Sequence, residues 1–297
     1  MKILLLGKNG QVGWELQRSL APLGQVIALD RHGADGLCGD LSNLVGLRDT
    51  VRRMRPDVIV NAAAYTAVDK AEVDIQLSDC VNGLASQVLA EEAAALGALL
   101  IHYSTDYVFN GQGSIPWVET DAVDPLNQYG ASKAAGECAI VASGCKYLLF
   151  RTSWVYGARG KNFAKTMMGL AKERETLSAV VDQLGSPTGA ELIADVTALA
   201  IRRVMVSSEL AGIYHLAAGG EVSWYGYATF VIDFARAHGE EYAVTAINPI
   251  EASGYPTAAR RPLNSRLNTR KLCDAFSLYL PDWQSGVSRM LTEILNK

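Results

Sequence analysis

The stretch Ile3-Leu4-Leu5-Leu6-Gly7-Lys8-Asn9-Gly10-Gln11-Val12-Gly13 joins a short apolar run to a glycine-rich turn. Val12, Leu16 and Leu20 then recur every four residues, the spacing of a helix with one buried stripe, and Pro22 and Gly24 stop it. A strand, a glycine loop and a helix in that order let backbone approach a pyrophosphate resting on the helix N-terminus. Gly7, Gly10 and Gly13 are the residues that permit the approach, with Gln11 and Val12 at the helix start. Val26 to Leu29 reads as a second strand ending at Asp30, where a carboxylate can bond an adenosine ribose. Arg31 and His32 follow and can hold a 2′-phosphate, so both NADH and NADPH stay open.

The same alternation continues outward. Asp57 to Asn61, Leu99 running into Ser104, and Tyr147 to Phe150 read as further strands, with a helix over Val81 to Leu96. Continuously apolar strands separated by amphipathic helices predict a Rossmann-type doubly wound parallel sheet in an α/β protein. After Gly157 the alternation loosens into helical segments at Phe163–Lys172, Glu191–Val206 and Tyr225–Ala237, with a strand near Ile213–Ala217. The expected division is a dinucleotide-binding unit over 1–157, rejoined by part of 193–225. A smaller α/β substrate unit is expected over 158–297.

The 297 residues are 49% hydrophobic and carry 27 basic against 31 acidic side chains, a formal charge of −4. That is enough apolar content for a large core and excludes a disordered chain. No basic block is present to grip a phosphate backbone, so nucleic acid is not an expected partner. Five scattered cysteines show no metal or disulfide spacing, and no apolar run approaches the ~20 residues of a membrane span. A cytoplasmic protein without a membrane partner is expected.

Tyr129 and Lys133 stand one helical turn apart on one face. A neighbouring cation favours the phenolate, so such a tyrosine can exchange a proton with a carbonyl or alcohol oxygen near neutral pH. Tyr103-Ser104-Thr105-Asp106-Tyr107 lies where a strand should end, the edge at which open parallel sheets bind ligands. The Thr105 hydroxyl can hold a substrate oxygen beside Tyr129.

These motifs, with Asn61-Ala62-Ala63-Ala64, resemble the extended short-chain dehydrogenase/reductases. Within them the chain resembles the dTDP-4-dehydrorhamnose reductase family. The narrower likeness rests on GKNGQVGWELQ from Gly7, VNAAAYTAVDKAE from Val60, YSTDYVFNG from Tyr103, RTSWVYG from Arg151 and DQLGSPTGAELIAD from Asp182, strings spread over the whole chain. The resemblance implies reduction of the 4-keto group of dTDP-4-dehydro-L-rhamnose by NADH or NADPH, giving dTDP-L-rhamnose for polysaccharide assembly. It places Tyr129 as proton donor, Lys133 on the nicotinamide ribose lowering the phenol's pKa, and Thr105 on the keto oxygen. Gly7, Gly10, Gln11, Val12 and Gly13 would hold the pyrophosphate, Asp30 and Arg31 the ribose, and Asp40 and Leu41 the adenine. Ala62, Ala63, Ala64 and Tyr65 would line the way to the nicotinamide. Thr105, Asp106, Tyr107 and Trp154 would meet the dTDP-sugar. It also implies Mg²⁺ held by Glu15, Glu191 and Glu293 at a homodimer interface. Relatives commonly carry Ser at the position of Thr105, and the hydroxyl survives the change.

Other readings are another sugar-nucleotide reductase or epimerase, a dehydratase, a dehydrogenase for a small alcohol, and a non-catalytic binding subunit. Dehydratases of the group place Glu after the Asp, whereas Tyr107 follows Asp106 here. A binding subunit would typically lose Tyr129 or Lys133, and both are present. The sugar-nucleotide motifs of the second half weigh against a small-alcohol enzyme.

Overall fold

The computed structural model describes residues 1–296. Its centre is a parallel sheet of β1 (Lys2–Leu6), β2 (Gln25–Leu29), β3 (Val58–Asn61), β4 (Leu99–Thr105), β5 (Lys146–Thr152) and β6 (Gly212–His215). The spatial order is 2-1-3-4-5-6, every neighbouring pair parallel. Alternate side chains of a strand point to opposite faces, and here both faces are apolar. Ile3 and Leu5 enter one core with Val58 and Val60; Leu4 and Leu6 enter the other with Ile59.

The first core is covered by α1 (Gln11–Leu20), the second by α2 (Leu44–Met54), α3 (Ala85–Leu96) and the end of α4 (Gln128–Ala142). A second assembly is built from α5 (Phe163–Glu173), α7 (Trp224–Ala237) and α8 (Trp283–Leu295) around Tyr156, Tyr227 and Trp283. Between α5 and α7, the chain returns to the sheet. α6 (Ala190–Val204) places Ile193, Ala200 and Val204 in the core of Ile3 and Leu5, and β6 extends the sheet beyond β5. Leu272, Phe276 and Leu280 pack into that core as well.

The helix expected over Val81–Leu96 is α-helical only from Ala85, because Asp79–Leu84 winds as a wider π-turn. The turn turns Asn82 inward, where its side chain bonds both Tyr65 N and Tyr65 O and the Ser132 hydroxyl. That network fixes the segment after β3 against α4. α2 turns Leu47, Val51 and Met54 to the core, and Asn43 caps it by accepting from Gly46 N.

α4 is fastened to the sheet by a buried ion pair. Arg151 of β5 donates to Glu137 through Nε (3.0 Å to Oε1) and Nη2 (2.7 Å to Oε2), and both side chains are buried. Nη1 reaches Glu119 O, and the guanidinium lies 5.0 Å from the Phe109 ring centroid. Removing one partner of such a pair strands the other charge in a low-dielectric interior. Arg151→Met is therefore expected to cost about 3–5 kcal/mol of stability, read from the urea midpoint. A loss below about 1 kcal/mol would mean that Glu137 finds water or another donor.

Candidate active site

At the β1/β3 switch point the strand order reverses, and a cleft of about 960 Å³ opens over the carboxyl ends of the strands. Gly7, Gly10, Gln11, Val12, Asp30, Arg31, Asp40 and Leu41 line one part of it. Ala62, Ala63, Ala64, Tyr65, Thr105, Asp106, Tyr107, Tyr129, Lys133 and Trp154 line the rest. Gly13 stands behind the wall: a Cβ there would sit 2.0 Å from Gly7 O, so its hydrogen lets α1 press onto the loop. Gly7 itself has φ +88° and faces the Ala62–Ala63 peptide, where a Cβ would meet Ala63 N at 2.7 Å. Gly10 is the N-cap of α1 and supplies no side-chain cap, leaving the first-turn amides turned toward the cleft. This cradle fits a pyrophosphate.

At the end of β2, Asp30 accepts from His32 N (2.9 Å) and Asn9 Nδ2 (2.8 Å), with Lys8 Nζ at 3.6 Å. The His32 amide, then Lys8 and Asn9, hold its carboxyl below the usual range. Asp30 is thus a screened anion, with Arg31 and His32 also in the wall.

At the end of β4, Thr105 Oγ1 donates to Asp106 Oδ1 (3.1 Å) and accepts from Tyr107 N (3.1 Å), and it lines the cleft beside Tyr129. Burial pushes the Tyr129 phenol up to about 12, the Thr105 hydroxyl working against it. The lowering of this phenol's pKa expected from Lys133 is not among the influences that act on Tyr129 here. Lys133 Nζ turns into the sheet and meets His102 Nε2 at 3.1 Å, so its charge is not spent on the phenol. Burial lowers the Lys133 ammonium to about 8, with Glu137 opposing. The Asp106 carboxyl is buried, has no partner for Oδ2, and is raised to about 7 by desolvation.

Trp154 follows β5 with φ +48° and stacks on Trp224 at 3.5 Å between ring centroids and 11° between planes. Gln183 Oε1 accepts from Trp224 Nε1 at 3.1 Å. Trp224, Asn9, His32 and Lys161 also line the cleft, and sequence reasoning did not select Trp224, Asn9 or Lys161. Trp224 lies far from Trp154 along the chain, and no spacing rule pairs them.

Glu15 and Glu293 both lie close enough to Glu191 for their charges to act on it. Burial raises the Glu191 carboxyl, Glu15 and Glu293 raise it further, and Arg289 opposes them. Glu15, however, faces Arg18 at 3.4 Å, and among the described residues no group of three or more His, Cys, Asp or Glu could hold a metal ion. The expected Mg²⁺ ligand set is therefore not formed within one chain. Among the described residues no helix is long and apolar enough to cross a membrane.

Fold and cleft define a Rossmann protein of the extended short-chain dehydrogenase/reductase class. The family described as the RmlD substrate binding domain matches residues 1–296. The dTDP-4-dehydrorhamnose reductase of Salmonella typhimurium is 58% identical over 294 residues, 99% of this chain and 98% of that one. A Bacillus anthracis dTDP-4-dehydrorhamnose reductase, solved in complex with NADP, is 34% identical and superimposes with a TM-score of 0.87 over 98% of this chain and 99% of that one. The chain belongs to the dTDP-4-dehydrorhamnose reductase family. The Thermus thermophilus UDP-glucose 4-epimerase, solved with NAD, shares the fold at 21% identity and a TM-score of 0.81, covering 99% of each chain.

Asp106 supplies a pH signature of this packing. Its carboxyl binds a proton with a pKa of about 7 in the fold against 3.8 as a free side chain. The folded chain therefore holds more protons between those values, and this share of stability is lost as pH rises through 7. Wild type should lose more stability than Asp106→Asn between about pH 5 and about pH 8, measured as urea midpoints. Equal losses would show a carboxyl that ionises as if in water.

Proposed function

We propose that the protein reduces the 4-keto group of dTDP-4-dehydro-L-rhamnose to dTDP-L-rhamnose with NADH or NADPH. The observation that carries this reading is the convergence of Tyr129, Thr105 and Lys133 on one dinucleotide cleft, with a tyrosine where a dehydratase needs its glutamate. When bound, the nicotinamide supplies a hydride for C4 of the sugar. Tyr129 gives its proton to O4, and its high proton affinity keeps that proton on the phenol until a basic oxygen forms. Thr105 orients the keto oxygen, while the Trp154–Trp224 stack offers a flat apolar wall for the sugar ring.

In this reading residues 1–157, with part of 193–225, hold the dinucleotide, and 158–297 mainly meet the sugar nucleotide. Gly10, Gln11 and Val12 receive the pyrophosphate, Asp30 and Arg31 the adenosine ribose, and Asp40 and Leu41 the adenine. Lys133 reaches the nicotinamide ribose.

Tyr129→Phe should lower kcat by about 10²–10⁴ with cofactor affinity retained, followed by nicotinamide absorbance with enzymatically generated dTDP-4-dehydro-L-rhamnose. An epimerase would consume no net NAD(P)H, and such a result, or normal turnover of the variant, sinks the reading. Asp30 repels a 2′-phosphate, but Lys8 and Asn9 screen it, so both cofactors should serve. Asp30→Ala is expected to move the ratio of specificity constants toward NADPH. An unchanged ratio would place Asp30 away from the ribose.

A further inference from the structure

His102 is a buried imidazole in mid-sheet with a side chain at each ring nitrogen. Nε2 lies 3.1 Å from Lys133 Nζ, and Nδ1 lies 3.2 Å from Asn61 Nδ2. Asn61 sits opposite His102 in the β3–β4 register, and its Oδ1 accepts from Ala63 N at 3.3 Å. Burial and the Lys133 charge keep the ring neutral, so it owns one proton for two nitrogens.

That single proton couples the three residues. With the Asn61 amide donating to Nδ1, the ring proton is on Nε2 and faces Lys133, which can accept it only as a free amine. With Lys133 as ammonium, Nε2 must accept, the ring proton moves to Nδ1, and Asn61 must present its oxygen, which releases the Ala63 amide at the cleft wall. In either state every buried donor of the Lys133–His102 contact meets an acceptor. The two states differ by one proton, which leaves to the solvent of the cleft that Lys133 lines.

We propose that Asn61 and His102 are positioning residues forming a tautomer adapter, which lets the buried Lys133 amine carry or release its extra proton with donor and acceptor still matched at the Lys133–His102 contact. The surroundings of Lys133 suit such an exchange. Glu137, one turn along α4, is the carboxylate acting on it, and that charge is already committed to Arg151 of β5. β5 sets only Leu149 opposite His102, so no second charge pins the ring. A lysine balanced in this way, near pH 8, exchanges between amine and ammonium rather than standing as a fixed cation.

The inference rests on the reductase reading for its purpose, but its first test does not need substrate. The chain has four histidines, so ¹⁵N-histidine-labelled protein gives few signals, and His102 is the one absent from the His102→Gln spectrum. Titrated from about pH 6 to about pH 10, His102 should stay neutral while its protonated nitrogen changes from Nδ1 to Nε2 near the Lys133 pKa. A single tautomer throughout overturns the proposal. In the pH profile of kcat/KM, His102→Leu removes the acceptor from a buried ammonium and should move the basic limb down by about one unit. His102→Gln, whose amide can also turn, should restore it. A limb unmoved by the leucine also overturns the proposal. A tautomer change in a protein that reduces no dTDP-sugar would sink the reductase reading and leave the adapter standing.

Discussion

The Arg151–Glu137 pair holds the site's geometry together. It spans from β5 to the inward face of α4, so the helix cannot slide without separating two buried charges. Tyr129, Lys133 and Glu137 occupy successive turns of that face. With Glu137 fixed on the sheet, Lys133 is aimed at β4 and Tyr129 at the end of β4, where Thr105 waits. Gly136 allows the other contact of α4: a Cβ there would sit 2.3 Å from Asn82 O, on the π-turn that clamps Tyr65. Both walls of the inner cleft are thereby referenced to one helix.

Burial then dictates protonation. Desolvation is the leading cause at Tyr129, Asp106, Lys133 and His102, and in each it favours the uncharged form. The tyrosine is kept as an acid, the aspartic acid is half neutral near pH 7, and the lysine is loosened. A site of this kind holds protons in neutral groups that can donate them. That arrangement suits a reaction in which an uncharged ketone becomes an alcohol and the oxygen needs a proton only after charge begins to develop.

The fold was legible because its signal is local. Ile3–Leu6, the Gly7–Gly13 turn and the stripe of Val12, Leu16 and Leu20 lie within one short stretch, and periodicity reads them directly. The Tyr129–Lys133 spacing was legible for the same reason. What Lys133 touches was not, because the facing of His102 toward α4 follows from sheet register, which spacing along one strand does not give. The π-turn at Asp79–Leu84 was hidden too, since its apolar spacing is helical and only the inward Asn82 distinguishes it. Gly13 was legible as part of the glycine turn, but not that its missing side chain lets α1 press onto Gly7 O.

Trp154 shows how the two halves are made to share one cleft. A non-glycine residue at φ +48° costs about 1–3 kcal/mol and persists only where its surroundings over-determine it. Here the surroundings come from the second assembly. Trp224 of α7 stacks on its face, and Gly185 approaches so closely that a Cβ would lie 2.6 Å from the indole. The strand end that leaves the Rossmann sheet is thus held in its strained turn by residues outside that sheet. Loosening the Trp224 stack would let Trp154 relax toward ordinary backbone and turn away from Tyr129's side of the cleft. The Trp154–Trp224 wall of the cleft therefore depends on the docking of the second assembly as directly as the glycine turn depends on the close approaches at Gly7 and Gly13.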